Sequence, residues 1–514
     1  MKFNECSSLG LPIALVAVLA LAALLLFRQI TEPFIGIHDY NSAYMSSAAR
    51  NHLRYGYAGT HLAMTENNDF VPAKWFHYYM NHPPLVPIFV SFSFRLFGEH
   101  EWAARLVPVT FSLGSIVLIY LLGVALGGPV LGLLSALIYA VLPINAYFGR
   151  MVNFEAPTNF FALATTLVYL RWHRAPRTTP LVVALAPLVV GALCGWPGYY
   201  LGGILPLHHL ITSARARRSW QILFFPLAAL VVFCFHLGHI FWLKGSAGLS
   251  YLASMFLYRT HLYLSPTLEV LGAPPEKFTW VDFLVREAHE ASALFTPLVL
   301  ILAVLALYDM ARHRGGTVLS DPILIVVLLL FGVIHLVLFS VASWQHSYSL
   351  FYCSAALSIL AANGALSLAG AARNHRVLGI FGVLFLLAAL PTIQFHYNYH
   401  DVDIPPLGLL IKEHTRPGEQ VVTNAPVIYE LAPQVGYYAG RDVSYNPVRQ
   451  AREFESALTV NRGRPIALLL LEKGQGVDEL VPWLSSRYPS ERADFLGKRY
   501  LVFHLDQEHP LSME

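Results

Sequence analysis

Residues 148–174 read FGRMVNFEAPTNFFALATTLVYLRWHR, and this stretch decides the fold. Arg150 and Glu155 stand at its front, an apolar run fills 155–170, and Arg171 and Arg174 close it. An apolar run with arginines at one end reads as a membrane helix whose basic end faces the cytoplasm. Further apolar runs lie at about 11–27, 106–126, 130–147, 180–194, 199–212, 220–243, 292–308, 322–341, 348–369 and 377–391. With 155–170 they make about eleven spans. The first is longer than a signal-peptide core and has no small-x-small cleavage site before Arg28, so it is expected to stay as a span.

Composition agrees, because 56% of the 514 residues are apolar and only 13% are charged, against roughly a quarter charged in a soluble protein. A net charge of +3, without clustering, argues against nucleic-acid binding. Arg171, Arg174 and Arg177, then Arg215, Arg217 and Arg218, then Arg312 and Arg314, then Arg373 and Arg376 occupy alternate connections. The positive-inside bias puts these in the cytoplasm together with the N-terminus, beside Lys2. Parity then exports residues 28–105, the turn 148–154, the segment 244–291 and everything after the last span.

Leu85–Phe97 lies inside the first exported segment, is short and carries Arg95, so it reads as a helix in the interface rather than a span. Residues 280–289, in the second exported segment, are amphipathic. The expected fold class is an all-α polytopic membrane protein of about 11 transmembrane helices plus juxtamembrane helices, with a small C-terminal α/β soluble domain. Residues 1–400 form the membrane part and 401–514 the exported domain. In the latter, strand-like runs at Gln420–Thr423, 465–471 and 500–505 interleave with helix-like runs at 448–458 and 477–487. It holds no G-x-G-x-x-G and no P-loop. Asp401-Val402-Asp403 spells D-x-D, a match too short to carry a metal site. The four cysteines, Cys6, Cys194, Cys234 and Cys353, form no CxxC pair.

Polar residues collect where parity places the exported face. His38, Asp39 and Tyr40 follow the first span, His82-Pro83-Pro84-Leu85 opens the interfacial helix, and Arg150 and Glu155 flank the turn after 147. An ionisable group at a span boundary is costly unless it has a partner or faces a wet cavity. Asp39 and Glu155 are therefore expected to converge on one exported cavity. Each residue also has a plainer reading. Asp39 can cap the helix that starts near Asn41, Glu155 can bridge to Arg150, and His82 can shape the turn before its prolines. His236, His239 and His335, inside spans, read as hydrogen-bonded core histidines. No HExxH or comparable ligand spacing occurs, so a divalent metal is possible but not indicated, and the sequence points to no particular cofactor.

The order of these features resembles the polytopic GT-C glycosyltransferases, in particular the protein O-mannosyltransferases and the lipid A aminoarabinose transferase. The resemblance runs from an acid in the first exported loop (Asp39) through H-P-P-L at 82–85. It continues with L-F-G-x-x-E-x-x-A-R-L, represented by Leu96, Phe97, Gly98, Glu101, Ala104, Arg105 and Leu106. P-x-x-x-x-F-G-R follows at Pro143, Phe148, Gly149 and Arg150, before a second acid. That acid is usually Asp and here is Glu155. A late H-x-Y stands at His346-Ser347-Tyr348, and Val421, Pro426, Tyr437-Tyr438 and Gly440-Arg441 are similar to the soluble tail of bacterial members.

The resemblance implies an enzyme of the bacterial inner membrane that moves a hexose or pentose from a polyprenyl-phosphate donor to an exported glycan, lipid or protein acceptor. It implies inverting displacement with Asp39 as base. Glu155 would orient the acceptor or a cation, and His82, Arg105, Arg150 and Arg259 would hold the donor phosphate. His38, Tyr40, His346 and Tyr348 are further cavity candidates. A transporter or lipid flippase shares the composition, but it predicts internal repeats and midplane polar residues, and none is found here. A non-catalytic exported receptor would not need either carboxylate.

Overall fold

The computed structural model describes residues 10–505 apart from 176–179, 215–218, 272–274, 313–318, 372–375, 425–431, 446–463, 472–476 and 496. The expected helix at 448–458, Pro426, and Arg177, Arg215, Arg217, Arg218, Arg314 and Arg373 lie outside the described residues.

Helices stand at every expected apolar run. They are α1 (Gly10–Leu26), α2 (Tyr40–Gly59), α3 (Leu85–Phe97), α4 (Glu101–Gly127), α5 (Pro129–Val141), α6 (Pro143–Phe148), α7 (Glu155–Arg174), α8 (Leu181–Cys194) and α9 (Pro197–Thr212). Then come α10 (Phe224–Arg259), α11 (Ser265–Leu271), α12 (Trp280–Phe295), α13 (Pro297–Arg312), α14 (Pro322–Leu338), α15 (Ser340–Gln345), α16 (Ser354–Ala371) and α17 (Arg376–Asn398). Among the described residues, Glu101–Gly127, Trp220–Arg259, Ser347–Gly370 and Val377–Asn398 are long and apolar enough to cross a membrane. The pair α12–α13, bent by 105°, can supply a fifth span, and α1, α3, α5, α8 and α14 hold shorter apolar helices.

Two runs differ from their expected form. The run at 130–147 is broken into α5 and α6 because Pro143, at the first position of α6, has no N–H to continue the ladder. The segment from 244 stays helical to Arg259, with Gly245 at φ 60° marking a break inside α10. Helix α3 has the expected bounds and at 13 residues is too short to span. It ends where Gly98 adopts φ 84°, a conformation costly for any residue with a Cβ.

The chain divides into two compact units. The first comprises Met1–Ile30, Met80–Val86 and Arg105–Asn398. In it α4 and α5 touch at glycines: a Cβ on Gly123 would fall 2.5 Å from the Gly132 Cα. The second comprises Thr31–Tyr79, Pro87–Ala104 and Tyr399–Glu514, so most of the first long loop packs with the C-terminal segment. Its hairpin pairs β1 (Met64–Thr65) with β2 (Tyr78–Tyr79). After α18 (Ile404–Glu413) comes the sheet, built from β3 (Gln420–Thr423), β4 (Asp442–Tyr445), β5 (Ile466–Leu471), β6 (Ser490–Phe495) and β7 (Lys498–Leu505) in the order β4-β3-β5-β7-β6.

Strands β4, β3 and β5 run parallel, while β7 and β6 are antiparallel. Alternation along β5 sends Ile466, Leu468 and Leu470 to one core, with Leu480 and Leu484 of helix Val477–Ser485. Leu469 enters the other core, where Ile35 of the loop meets Ile404, Leu407 and Val435. The loop is also tied down by polar bonds. The Phe34 N–H donates to the Tyr438 hydroxyl at 2.6 Å, and the Asn68 N–H donates to Asp442 Oδ1 at 2.6 Å.

Candidate functional site

In the second unit, Asp39 is 7% exposed and occupies the N-cap position of α2, but no first-turn backbone N–H reaches its side chain. Its carboxylate accepts instead from the Gly36 N–H (3.1 Å) and the Ser42 hydroxyl (2.9 Å). The plain capping expectation is therefore corrected: one carboxylate oxygen is held by the turn before the helix and the other by the Ser42 hydroxyl in its first turn. His38, at φ 61°, holds that turn in the left-handed region, which is strained for a residue with a side chain. Its ring meets Tyr40 edge-on at 5.9 Å.

In the first unit, the turn after α6 carries the second acid. Phe154 is the N-cap residue and Glu155 the first residue of α7. The acid is 6% exposed, and its Oε2 has no hydrogen-bond partner. A negative charge at a helix N-terminus is favoured by the helix dipole, but a buried acceptor left unbonded is costly. The expected bridge to Arg150 is absent among the described residues. The Arg150 guanidinium instead donates to the Arg28 carbonyl and lies over the Tyr397 ring at 4.5 Å.

Arg105, 1% exposed, donates to the Ile30 carbonyl at 2.9 Å, and the Tyr397 hydroxyl donates to the Leu25 carbonyl at 2.6 Å. These three side chains thus satisfy carbonyls at and just beyond the end of α1, groups that a helix leaves without partners. The H-x-Y element joins them: the His346 and Tyr348 rings stack at 5.1 Å, and Tyr348 meets Phe148 edge-on at 6.0 Å.

His82 faces the other side of the same turn. Its ring stacks on Phe154 at 4.2 Å, with Trp196 at 6.3 Å, while Trp196 Nε1 donates to the Asn81 carbonyl at 2.6 Å. Burial holds the His82 pKa well below the usual imidazole value, helped by the positive charge of Arg259 and by His335 and His236. The ring is therefore neutral at pH 7, and the cation nearby is Arg259. As expected of core histidines, His335 lies 3.2 Å from the Tyr200 hydroxyl, and His236 bonds the Met80 backbone. His236 Nε2 nevertheless remains unpartnered.

Within the first unit the structure thus sets His82 against Phe154 and Trp196, with Glu155 next to Phe154 in the chain and the charge of Arg259 acting on His82. It gathers Arg105, Arg150, His346 and Tyr348 around Tyr397 and Phe148. The turn 149–154 connects the two groups. Sequence reasoning missed Phe154, Trp196 and Tyr397, because an aromatic in an apolar helix gives no signal of its own. The one local signal that could have pointed to Trp196 is the Gly195-Trp196-Pro197 break between α8 and α9.

Residues 81–242 match the dolichyl-phosphate-mannose-protein mannosyltransferase family. Among solved structures the chain is similar to ArnT from Cupriavidus metallidurans bound to undecaprenyl phosphate. The two share 14% identity, the match covers 98% of this chain and 99% of that one, and the TM-score is 0.64. The fold is that of the polytopic GT-C glycosyltransferases. The GT-C likeness extends to the Archaeoglobus fulgidus oligosaccharyltransferase in the apo form, at 12% identity, 98% of this chain, 76% of that chain and a TM-score of 0.57. It extends also to the archaeal oligosaccharyltransferase AglB from the same organism in complex with an inhibitory peptide and a dolichol-phosphate, at 12% identity, 98% and 75% coverage and a TM-score of 0.57. No curated protein matches.

Proposed function

We propose that the chain is an inverting glycosyltransferase of the bacterial inner membrane that takes a hexose or pentose from a polyprenyl-phosphate donor. The acceptor is an exported hydroxyl on a glycan, lipid or protein. The observation that carries the reading is Glu155: a buried carboxyl with no cation paired to it and one unbonded oxygen among the described residues, next in the chain to the Phe154 ring on which His82 stacks. Such a group calls for a ligand that donates a hydrogen bond. The bound undecaprenyl phosphate of ArnT and dolichol-phosphate of AglB support the choice of donor, and so does the family matched over 81–242.

In this reading Asp39 accepts the proton of the acceptor hydroxyl while its oxygen bonds to the anomeric carbon. The bond from that carbon to the phosphate oxygen breaks, and polyprenyl phosphate leaves as a stable anion. One displacement inverts the sugar carbon. Arg259 supplies charge to the phosphate, and the neutral His82 supplies an N–H. Arg105 and Arg150 add positive potential from the carbonyl cluster, and Glu155 orients the acceptor. In the first unit His346 and Tyr348 lie on the Phe148 side of the turn that precedes Glu155, and the isoprenoid tail runs between helices; in the second unit His38 and Tyr40 flank Asp39.

The test is Asp39→Asn in purified protein reconstituted in vesicles. The expected outcome is a loss of about 10²- to 10⁴-fold in transfer rate with the lipid donor still bound. An unchanged rate removes Asp39 from the base role.

A further inference from the structure

Helix α12 (Trp280–Phe295) starts from a capping box formed by Thr279 and Asp282. Its outward face is apolar: Trp280, Val281, Leu284 and Val285 are all exposed. Its inward face consists of Phe283, Glu287, Leu294 and Phe295. A carboxylate therefore occupies the second position of a stripe that would otherwise be hydrophobic, where helix patterning calls for an apolar side chain.

Glu287 is 8% exposed. Its Oε1 accepts from Arg286 at 3.1 Å, and its Oε2 has no partner. The same Arg286 nitrogen donates to the Ser343 carbonyl at 3.2 Å, and the guanidinium lies 5.3 Å from the Trp344 ring. The Ser343 hydroxyl on α15 is likewise buried and unbonded. Helix α12 packs against α6, α15, α17 and the 3-10 turn Ser347–Cys353. These elements carry the Phe148 and His346-x-Tyr348 segments described above.

We propose that Glu287 is a specificity residue that, with the Ser343 hydroxyl, binds a hydroxyl group of the donor's sugar. Arg286 already balances the carboxylate charge, so a neutral hydroxyl fits where an ammonium would leave a buried positive charge unbalanced. The apolar outward face lays α12 on the membrane surface, the depth at which a sugar on a lipid phosphate is presented. The proposal rests on the reading of the protein as a polyprenyl-phosphate-sugar enzyme.

The experiment measures binding to the full-length protein in nanodiscs. The probes are undecaprenyl phosphate alone and undecaprenyl phosphate carrying mannose, glucose or 4-amino-arabinose. Variants are Glu287→Gln and, as an apolar match in shape, Glu287→Met, each first checked for wild-type thermal unfolding. The wild type should prefer one sugar-bearing lipid to the bare one. Glu287→Met should weaken that lipid about 10- to 100-fold and leave undecaprenyl phosphate unchanged, with Glu287→Gln intermediate. Equal weakening of both probes, or of neither, overturns the assignment of Glu287. A wild type that binds no probe overturns the donor reading instead.

Discussion

At the residue scale, His82 ties electrostatics to folding. Its pKa in the folded chain lies well below the ordinary 6.5, so the unfolded state binds the proton more readily. The neutral ring's contribution to stability is full above pH 6.5 and falls as pH drops below it. Thermal unfolding between about pH 7 and pH 5 should therefore show a decline that His82→Gln reduces, and an identical decline in the variant would contradict the buried neutral ring. Glu287 has the opposite sign: burial pushes its pKa up to about 7 although Arg286 pulls it down. It thus costs least below the ordinary carboxylate value of 4.5, and the cost grows as pH rises from there to about 7. Single residues were only partly legible in the sequence. Asp39 and Glu155 were picked out by their place at span boundaries, and both are buried within their units. Their partners did not follow, because bonds such as Ser42 to Asp39 and Arg150 to a carbonyl depend on turn geometry that spacing does not encode.

At the scale of elements, hydropathy and proline carry most of the information. The bounds of α3 were readable because they reflect a local rule of length, whereas the break at Pro143 inside the run 130–147 was passed over although a proline carries its own signal. Strands β4 and β6 were not, since both are edge strands and read Asp442-Val443-Ser444-Tyr445 and Ser490-Glu491-Arg492-Ala493-Asp494-Phe495. An edge strand with charged side chains lacks the apolar alternation that marks a central one. The Gly123–Gly132 contact was equally silent, as glycines are common in membrane helices. There a methyl group would meet backbone, which cannot move aside as a side chain can. Gly123→Ala should therefore cost about 1–3 kcal/mol and lower the unfolding temperature in detergent. A variant as stable as the wild type would show that α4 and α5 stand further apart.

For the whole molecule, composition and the alternation of arginines established a membrane chain with a small polar domain at its end. They left unread that most of the first loop packs with that domain, because contacts such as Phe34 to Tyr438 and Asn67 to Asp442 join residues about 400 positions apart. The proposed reaction consumes a lipid-borne sugar, so its most direct test reads out the whole enzyme in its membrane. A strain whose own copy carries Asp39→Asn should accumulate a sugar-bearing polyprenyl phosphate in its lipid extract, together with a glycan or lipid lacking that sugar. A lipid extract identical to that of the wild-type strain, with the variant protein present in the membrane at normal level, would contradict the account.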